Sequence, residues 1–252
     1  MNRREMISLS GLALAGAALA AATPAAPATP PGRRLKVLVA GGHPDDPETG
    51  AGGTMARYAA AGHEVVALYF TTGEAGIDGQ APDQAAAIRR AEAQRACGIL
   101  QARAVFAGQI DGASRVDPAA YAAMHEILRR EDPDVIFTHW PLDTHRDHRH
   151  CTMLVLDSWF ASGRRVPLYY YEVMTGSQTQ GFAPTDYVDI SEVVARKHEA
   201  CFVHVSQKVS EWYEHDHGRM EVFRGMEAGC RHAEAFVRHD TGPAGRLPGA
   251  AG

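Results

Sequence analysis

Two short runs of histidine and carboxylate hold the reactive chemistry of this sequence. The first is His43-Pro44-Asp45-Asp46-Pro47-Glu48; the second carries His139, Asp143, His145, Asp147, His148 and His150. Imidazole nitrogens and carboxylate oxygens are the donors that divalent transition metals take. Polar loops also carry such residues with no metal present, and for either run alone that is the simpler reading. Together the runs offer His43, Asp46 and one histidine of the second run as a two-histidine, one-carboxylate set. Three protein donors leave one position open for water, as catalytic zinc requires. Asp45 then stands beside the metal as a spare carboxylate, able to take a proton from that water. The same triad also suits non-haem iron and oxygen chemistry, a reading that leaves Asp45 without a task.

The two runs are far apart in the chain, so the fold must bring them together. Leu35–Ala40 reads as a buried strand ending in Gly41-Gly42, and 53–61 as a helix stopped by Gly62. Strands are expected at 64–70, 104–106, 134–138 and 168–173. Helices are expected at 82–100, from Pro118 with Asp117 as N-cap to about Arg130, and at 149–160. Repeated strand–helix units of this length predict an α/β, Rossmann-like, mainly parallel sheet with helices on both faces. In such a sheet ligands bind beyond the carboxyl ends of the strands. Each reactive run directly follows an expected strand.

The chain has 252 residues, 45% hydrophobic and 22% charged, with a net charge of −5. That is globular composition, and the acidic balance argues against a broad nucleic-acid surface. Residues 1–32 stand apart. A basic start with Arg3 and Arg4 precedes a Gly/Ala-rich apolar run, Ala18-Leu19-Ala20 makes a small-residue cleavage site, and a Pro/Ala linker follows. This is the build of a twin-arginine-like bacterial signal peptide. The run is too weakly apolar for a stable membrane span in the mature form. The expectation is an exported, periplasmic or extracellular domain over 33–252. Cys97, Cys151, Cys201 and Cys230 show no C-x-x-C spacing and do not select a disulfide pairing.

The strings themselves resemble the PIG-L/LmbE-like N-acetylglucosaminyl deacetylase family. The resemblance rests on His43-Pro44-Asp45-Asp46, Thr72-Gly73-Glu74, Arg89-x-x-Glu92, Asp143-x-His145-x-Asp147-His148, His204-x-Ser206-Gln207 and the AEAF string at 233–236. It implies a Rossmann-like fold and zinc-dependent removal of an acyl group from an amino sugar, with another divalent transition metal able to replace zinc. Position by position it implies His43, Asp46 and His148 as metal ligands. It implies Asp45 as general base and His145 as the group that stabilises the oxyanion and helps protonate the leaving amine. Arg89 and Asp111 match positions that contact substrate in relatives. Two departures stand out: Pro47 replaces the usual glutamate, with Glu48 one place later, and Arg146 replaces the proline of the second motif. Both are expected to reshape the rim.

The partner implied is a small N-acylated sugar or amide; a homo-oligomer stays open. Alternatives are an amidase on a non-sugar amide and a non-catalytic sugar-binding protein, which would need neither base nor metal. The glycines at 41, 42, 50, 52 and 53 do not make G-x-G-x-x-G, and acids fill that loop, which argues against a nucleotide. Tyr169–Tyr171 read as strand packing, His215 and His217 as residues of a solvated loop, and Asp147 as a group orienting His145 or His148.

Overall fold

Alternating apolar residues build the first strand, β1 (Lys36–Gly41), with Val37 and Val39 on one face and Leu38 and Ala40 on the other. All four are fully buried. A strand buried on both faces requires a covering layer on each side. The computed structural model describes residues 33–163 and 166–239. The signal and linker expected over 1–32 lie outside the described residues. Among the described residues, no helix is long and apolar enough to cross a membrane.

The elements follow as α1 (Asp46–Ala60), β2 (Glu64–Tyr69), α2 (Pro82–Leu100), β3 (Arg103–Phe106), α3 (Pro118–Glu131), β4 (Val135–His139), α4 (Arg146–Ala161) and β5 (Leu168–Tyr171). The C-terminal portion adds β6 (Asp186–Asp189), α5 (Val194–Phe202), the single turn α6 (Val209–Trp212), α7 (His217–Ala228) and β7 (Ala233–Arg238). The sheet runs β3-β2-β1-β4-β5-β7-β6, parallel from β3 to β5, with β7 and β6 antiparallel at the edge. Helices α1 and α2 cover one face and α3 and α4 the other. This is the mainly parallel, doubly covered sheet that the strand–helix alternation predicts. The Asp117 carboxylate caps α3 by accepting from the Ala120 N–H at 2.9 Å.

Two helices begin earlier than their sequences suggest, and both carry the reactive runs. Helix α1 starts at Asp46 rather than Gly53, and α4 at Arg146 rather than Arg149. In α1 the glycines are packing positions: a Cβ on Gly50 would lie 2.2 Å from Tyr171, and one on Gly53 2.5 Å from Ile190. The helix breaks at Ala51 (φ −146°). Just beyond the break, the N–H groups of Gly53 and Thr54 donate to the Glu234 carboxylate of β7, at 2.8 and 2.7 Å. That long-range cap replaces bonds the break removes.

Candidate active site

The chain reverses its direction of growth between β1 and β4, which lie side by side and parallel. Both reactive runs leave the carboxyl ends of these strands and meet there. Their contact depends on Gly42, where a Cβ would stand 2.7 Å from the His148 ring. The resulting cavity has a volume of about 320 Å³ and reaches His43, Asp45, Asp46, His145 and His148.

His43 Nδ1, Asp46 Oδ2 and His148 Nε2 form a nearly equilateral triangle. The edges are 3.3 Å (His43–Asp46), 3.2 Å (Asp46–His148) and 3.3 Å (His43–His148). A tetrahedral ion with metal–ligand bonds of ~2.0–2.1 Å holds its donors about 3.3–3.4 Å apart. The donor set therefore fits a zinc-like cation. His139 also lies 3.4 Å from Asp46, but its Nε2 accepts the Gly42 N–H at 2.9 Å, so that lone pair is committed. His139 is fully buried and stacks on His148 with ring centroids 3.9 Å apart.

Carboxylates stand behind both histidines and turn their free nitrogens inward. Asp143 Oδ2 lies 3.2 Å from His148 Nδ1. Asp111 Oδ1 and Asp147 Oδ2 lie 3.1 and 3.4 Å from His43 Nε2. Such outer carboxylates set the tautomer and orientation of a metal-binding imidazole. Asp147, expected to orient His145 or His148, thus addresses His43; it is fixed by the Gly112 N–H at 2.7 Å and the Ser114 hydroxyl. Burial opposes protonation of His43 and His148, yet the surrounding carboxylates raise both, His148 to about 9. Burial would raise Asp46, but the adjacent His148 and His139 bring it well below the usual carboxylate range. A cluster that gathers protons in this way has excess negative charge, which a divalent cation satisfies.

Asp45 occupies a strained backbone position, φ 121° and ψ −31°, which separates its carboxylate from that of its neighbour Asp46. Arg89 Nη2 lies 3.1 Å from Asp45 Oδ2 and also donates to the Pro44 carbonyl; Nη1 donates to the Gly73 carbonyl at 3.4 Å. Arg89, matched above to a substrate contact, is 3% exposed and holds the proposed base through these bonds, although it also lines the cavity. Burial dominates the charge state of Asp45 and pushes it up to about 6, against the pull of Arg89. His145 Nδ1 accepts the Asp147 N–H at 3.3 Å, and burial together with His43 and His148 lowers its pKa. The neutral ring then carries its proton on Nε2.

The two motif departures do not rebuild the rim. Pro47 is buried in the first turn of α1, and Glu48 is fully buried, bonded to the Tyr69 hydroxyl and 3.6 Å from His204 Nε2. Arg146 donates to the Gly112 carbonyl. Tyr169–Tyr171 are strand packing as expected, the Tyr171 hydroxyl donating to Ala40 O at 2.8 Å. All four cysteines are free thiols. His217, read above as a residue of a solvated loop, is instead buried at the cavity wall. Gln207 and Trp212 join it there. The His204-x-Ser206-Gln207 string held a signal for Gln207: Glu92 accepts both the N–H and the hydroxyl of Ser206, at 2.8 and 2.6 Å, and so sets the turn.

The sequence and the fold are similar to those of known proteins. The family model described as PIG-L, GlcNAc-PI de-N-acetylase, matches residues 38–159. Diacetylchitobiose deacetylase of Thermococcus kodakarensis is 31% identical over 220 residues, covering 80% of this chain and 82% of that protein. The N,N'-diacetylchitobiose deacetylase structure from Pyrococcus horikoshii superposes with a TM-score of 0.73 at 26% identity, over 82% of this chain and 84% of that one. The conserved protein TT1542 of Thermus thermophilus superposes at 0.71 with 30% identity, over 84% and 96% of the two chains.

Proposed function

The chain belongs to the GlcNAc-PI de-N-acetylase (PIG-L) family, and from that premise we propose that it is a metal-dependent hydrolase removing an N-acyl group, acetyl foremost, from an amino sugar or sugar-linked amide. The observation that carries the proposal is the donor triangle of His43, Asp46 and His148, with a separately held carboxylate, Asp45, at the same cavity. A sugar-binding protein needs neither. Zinc is the metal we assign, on its preference for tetrahedral nitrogen and oxygen donors.

The bound metal supplies Lewis-acid polarisation of an amide carbonyl and lowers the pKa of water. The residues of the chain supply the rest. Asp45 accepts the proton of the attacking water, and its raised pKa keeps it basic enough for that transfer near neutral pH. Arg89 limits the direction the carboxylate can take. His145 offers Nε2–H to the oxyanion that forms as water adds to the carbonyl. The leaving amine receives its proton from Asp45 or His145. Residues 1–32 support a signal peptide and export, which sets the reaction outside the cytosol. Metal-loaded protein offered a panel of N-acetylated sugars and amides should release primary amine. No amine from any of them, with metal bound, would overturn the proposal.

A further inference from the structure

The segment between β3 and α3, residues 107–117, runs from the end of β2 to the first turn of α4. At one end Ala107 and Gln109 donate to the Tyr69 and Phe70 carbonyls, at 2.9 and 3.1 Å. At the other, Gly112 and Ser114 fasten it to Asp147: the Gly112 N–H donates to Oδ2 at 2.7 Å, and the Ser114 hydroxyl donates to Oδ1. Ser114 is 7% exposed and Asp147 is fully buried. A hydroxyl has one proton, so Ser114 accepts from its other partner, His150 Nδ1, at 2.9 Å. The chain of bonds is therefore directional, from half-buried His150 to Ser114 to Asp147, whose other oxygen lies 3.4 Å from His43 Nε2. His150, one of the histidines of the second reactive run, gains a place that the donor triangle does not give it.

These bonds act against a repulsion. Asp111, on the same segment, also faces His43 Nε2, at 3.1 Å, so two carboxylates converge on one nitrogen and interact directly. Like charges this close push each other apart. Neutral donors hold them in place: the Ala75 N–H on Asp111 Oδ2 at 3.2 Å, and Gly112 with Ser114 on Asp147. An alanine at 114 takes from the buried Asp147 the hydroxyl it accepts. It also releases from α4 the segment that carries Asp111. Both effects reach His43, whose Nδ1 is a corner of the donor triangle.

We propose that Ser114 is a positioning residue of the metal centre: it holds Asp147, and through Asp147 the orientation of His43, so that its hydroxyl strengthens zinc binding. The inference rests on the metal site of the reading above and adds a residue that no motif marks. The test is the zinc affinity of the full chain, by competition with a chromogenic chelator, in wild type, Ser114→Ala, Asp147→Ala and the double variant. Groups that orient a metal-binding imidazole are worth ~10–100-fold in affinity, and Ser114 stands one bond further out, so Ser114→Ala should weaken zinc binding ~10-fold. In the Asp147→Ala background the same substitution should change it less than ~2-fold, because the path is already cut. Ser114→Thr keeps the hydroxyl and should recover most of the loss. Unchanged zinc affinity in Ser114→Ala overturns the inference. So does the same loss persisting in the Asp147→Ala background, or a loss that threonine does not recover, since either would mean that Ser114 only packs. If Asp147→Ala does not fold, Ser114→Ala against Ser114→Thr decides. His43→Ala separates the two readings. Zinc affinity that falls in His43→Ala but not in Ser114→Ala sinks this inference alone, whereas zinc held equally well by His43→Ala sinks the assigned metal site and this inference with it.

Discussion

Replacing Asp45 by asparagine removes a proton acceptor while leaving the groups that position it. Asparagine branches as aspartate does and so meets the same backbone strain at φ 121°. The Arg89 guanidinium keeps the Pro44 and Gly73 carbonyls. The proposed metal donors are His43, Asp46 and His148, so metal content should stay near that of wild type while kcat falls ~10²–10⁴-fold, the usual contribution of a positioned base. Stability should move the other way. The folded-state pKa of Asp45 is raised from 3.8 to about 6, chiefly by burial. The folded protein therefore holds the extra proton between those values, and stability falls as pH rises through that window and levels off above it. At about 1.4 kcal/mol per unit, the ionised carboxylate costs up to roughly 3 kcal/mol at neutral pH. Its side chain is 17% exposed, and discounted for solvent screening a net of roughly 1–2 kcal/mol is expected. Metal-free Asp45→Asn should melt a few degrees above metal-free wild type at pH 7, by roughly 2–4 °C per kcal/mol for a domain of this size. The assays are metal analysis, amine release and thermal unfolding without metal. Near-wild-type turnover would exclude Asp45 as base, and loss of metal would mean that Asp45 and Asp46 have exchanged roles. A lower melting temperature would refute the burial reasoning.

Three further outcomes are expected. His43→Ala, Asp46→Ala and His148→Ala should each lower zinc occupancy after dialysis; full occupancy in all three would place the metal elsewhere. Burial would raise Glu221, but Lys197, His198 and Tyr213 bring it to about 2 from 4.5. The stability it contributes is present above pH 4.5 and lost as pH falls toward 2, on the order of 3 kcal/mol, and Glu221→Gln should flatten that part of a stability–pH profile. Protein secreted by a native-like host should be at least ~2 kDa lighter than the full chain by intact mass, the loss of an ordinary signal peptide; full-length protein in the cytosol would refute export.

The parallel sheet was legible because its central strands are buried on both faces, and continuous apolar runs such as 65–70 mark them. The proposed metal donors were legible because His43 and Asp46 stand three residues apart in a run that follows one strand, and His148 stands in the run that follows another. His217 was not. Its neighbours His215, Asp216 and Gly218 make a polar string that reads as solvated loop, and nothing local reports that Lys197, Glu221 and Trp212 close around it. Local pattern reports an element's own face; burial of a polar residue depends on what packs over it from elsewhere.

The start of α1 shows the same limit with a consequence for the site. Gly50, Gly52 and Gly53 argue locally against helix, and a helix broken at Ala51 would leave Gly53 and Thr54 with unpaired N–H groups. Glu234 supplies the missing acceptors from the far end of the chain, and Lys197 neutralises it at 2.7 Å. That arrangement makes the glycine-rich turn affordable as helix, and the glycines in turn let Tyr171 and Ile190 pack close beneath it. The first turn so fixed carries Asp46, while the residue before it takes the strained φ that sends the Asp45 carboxylate to Arg89. The two adjacent aspartates can hold the different tasks proposed for them because the backbone at Asp45 is forced out of the helix, while the buried pair of Glu234 and Lys197 from β7 and α5 secures the helix beyond its break at Ala51.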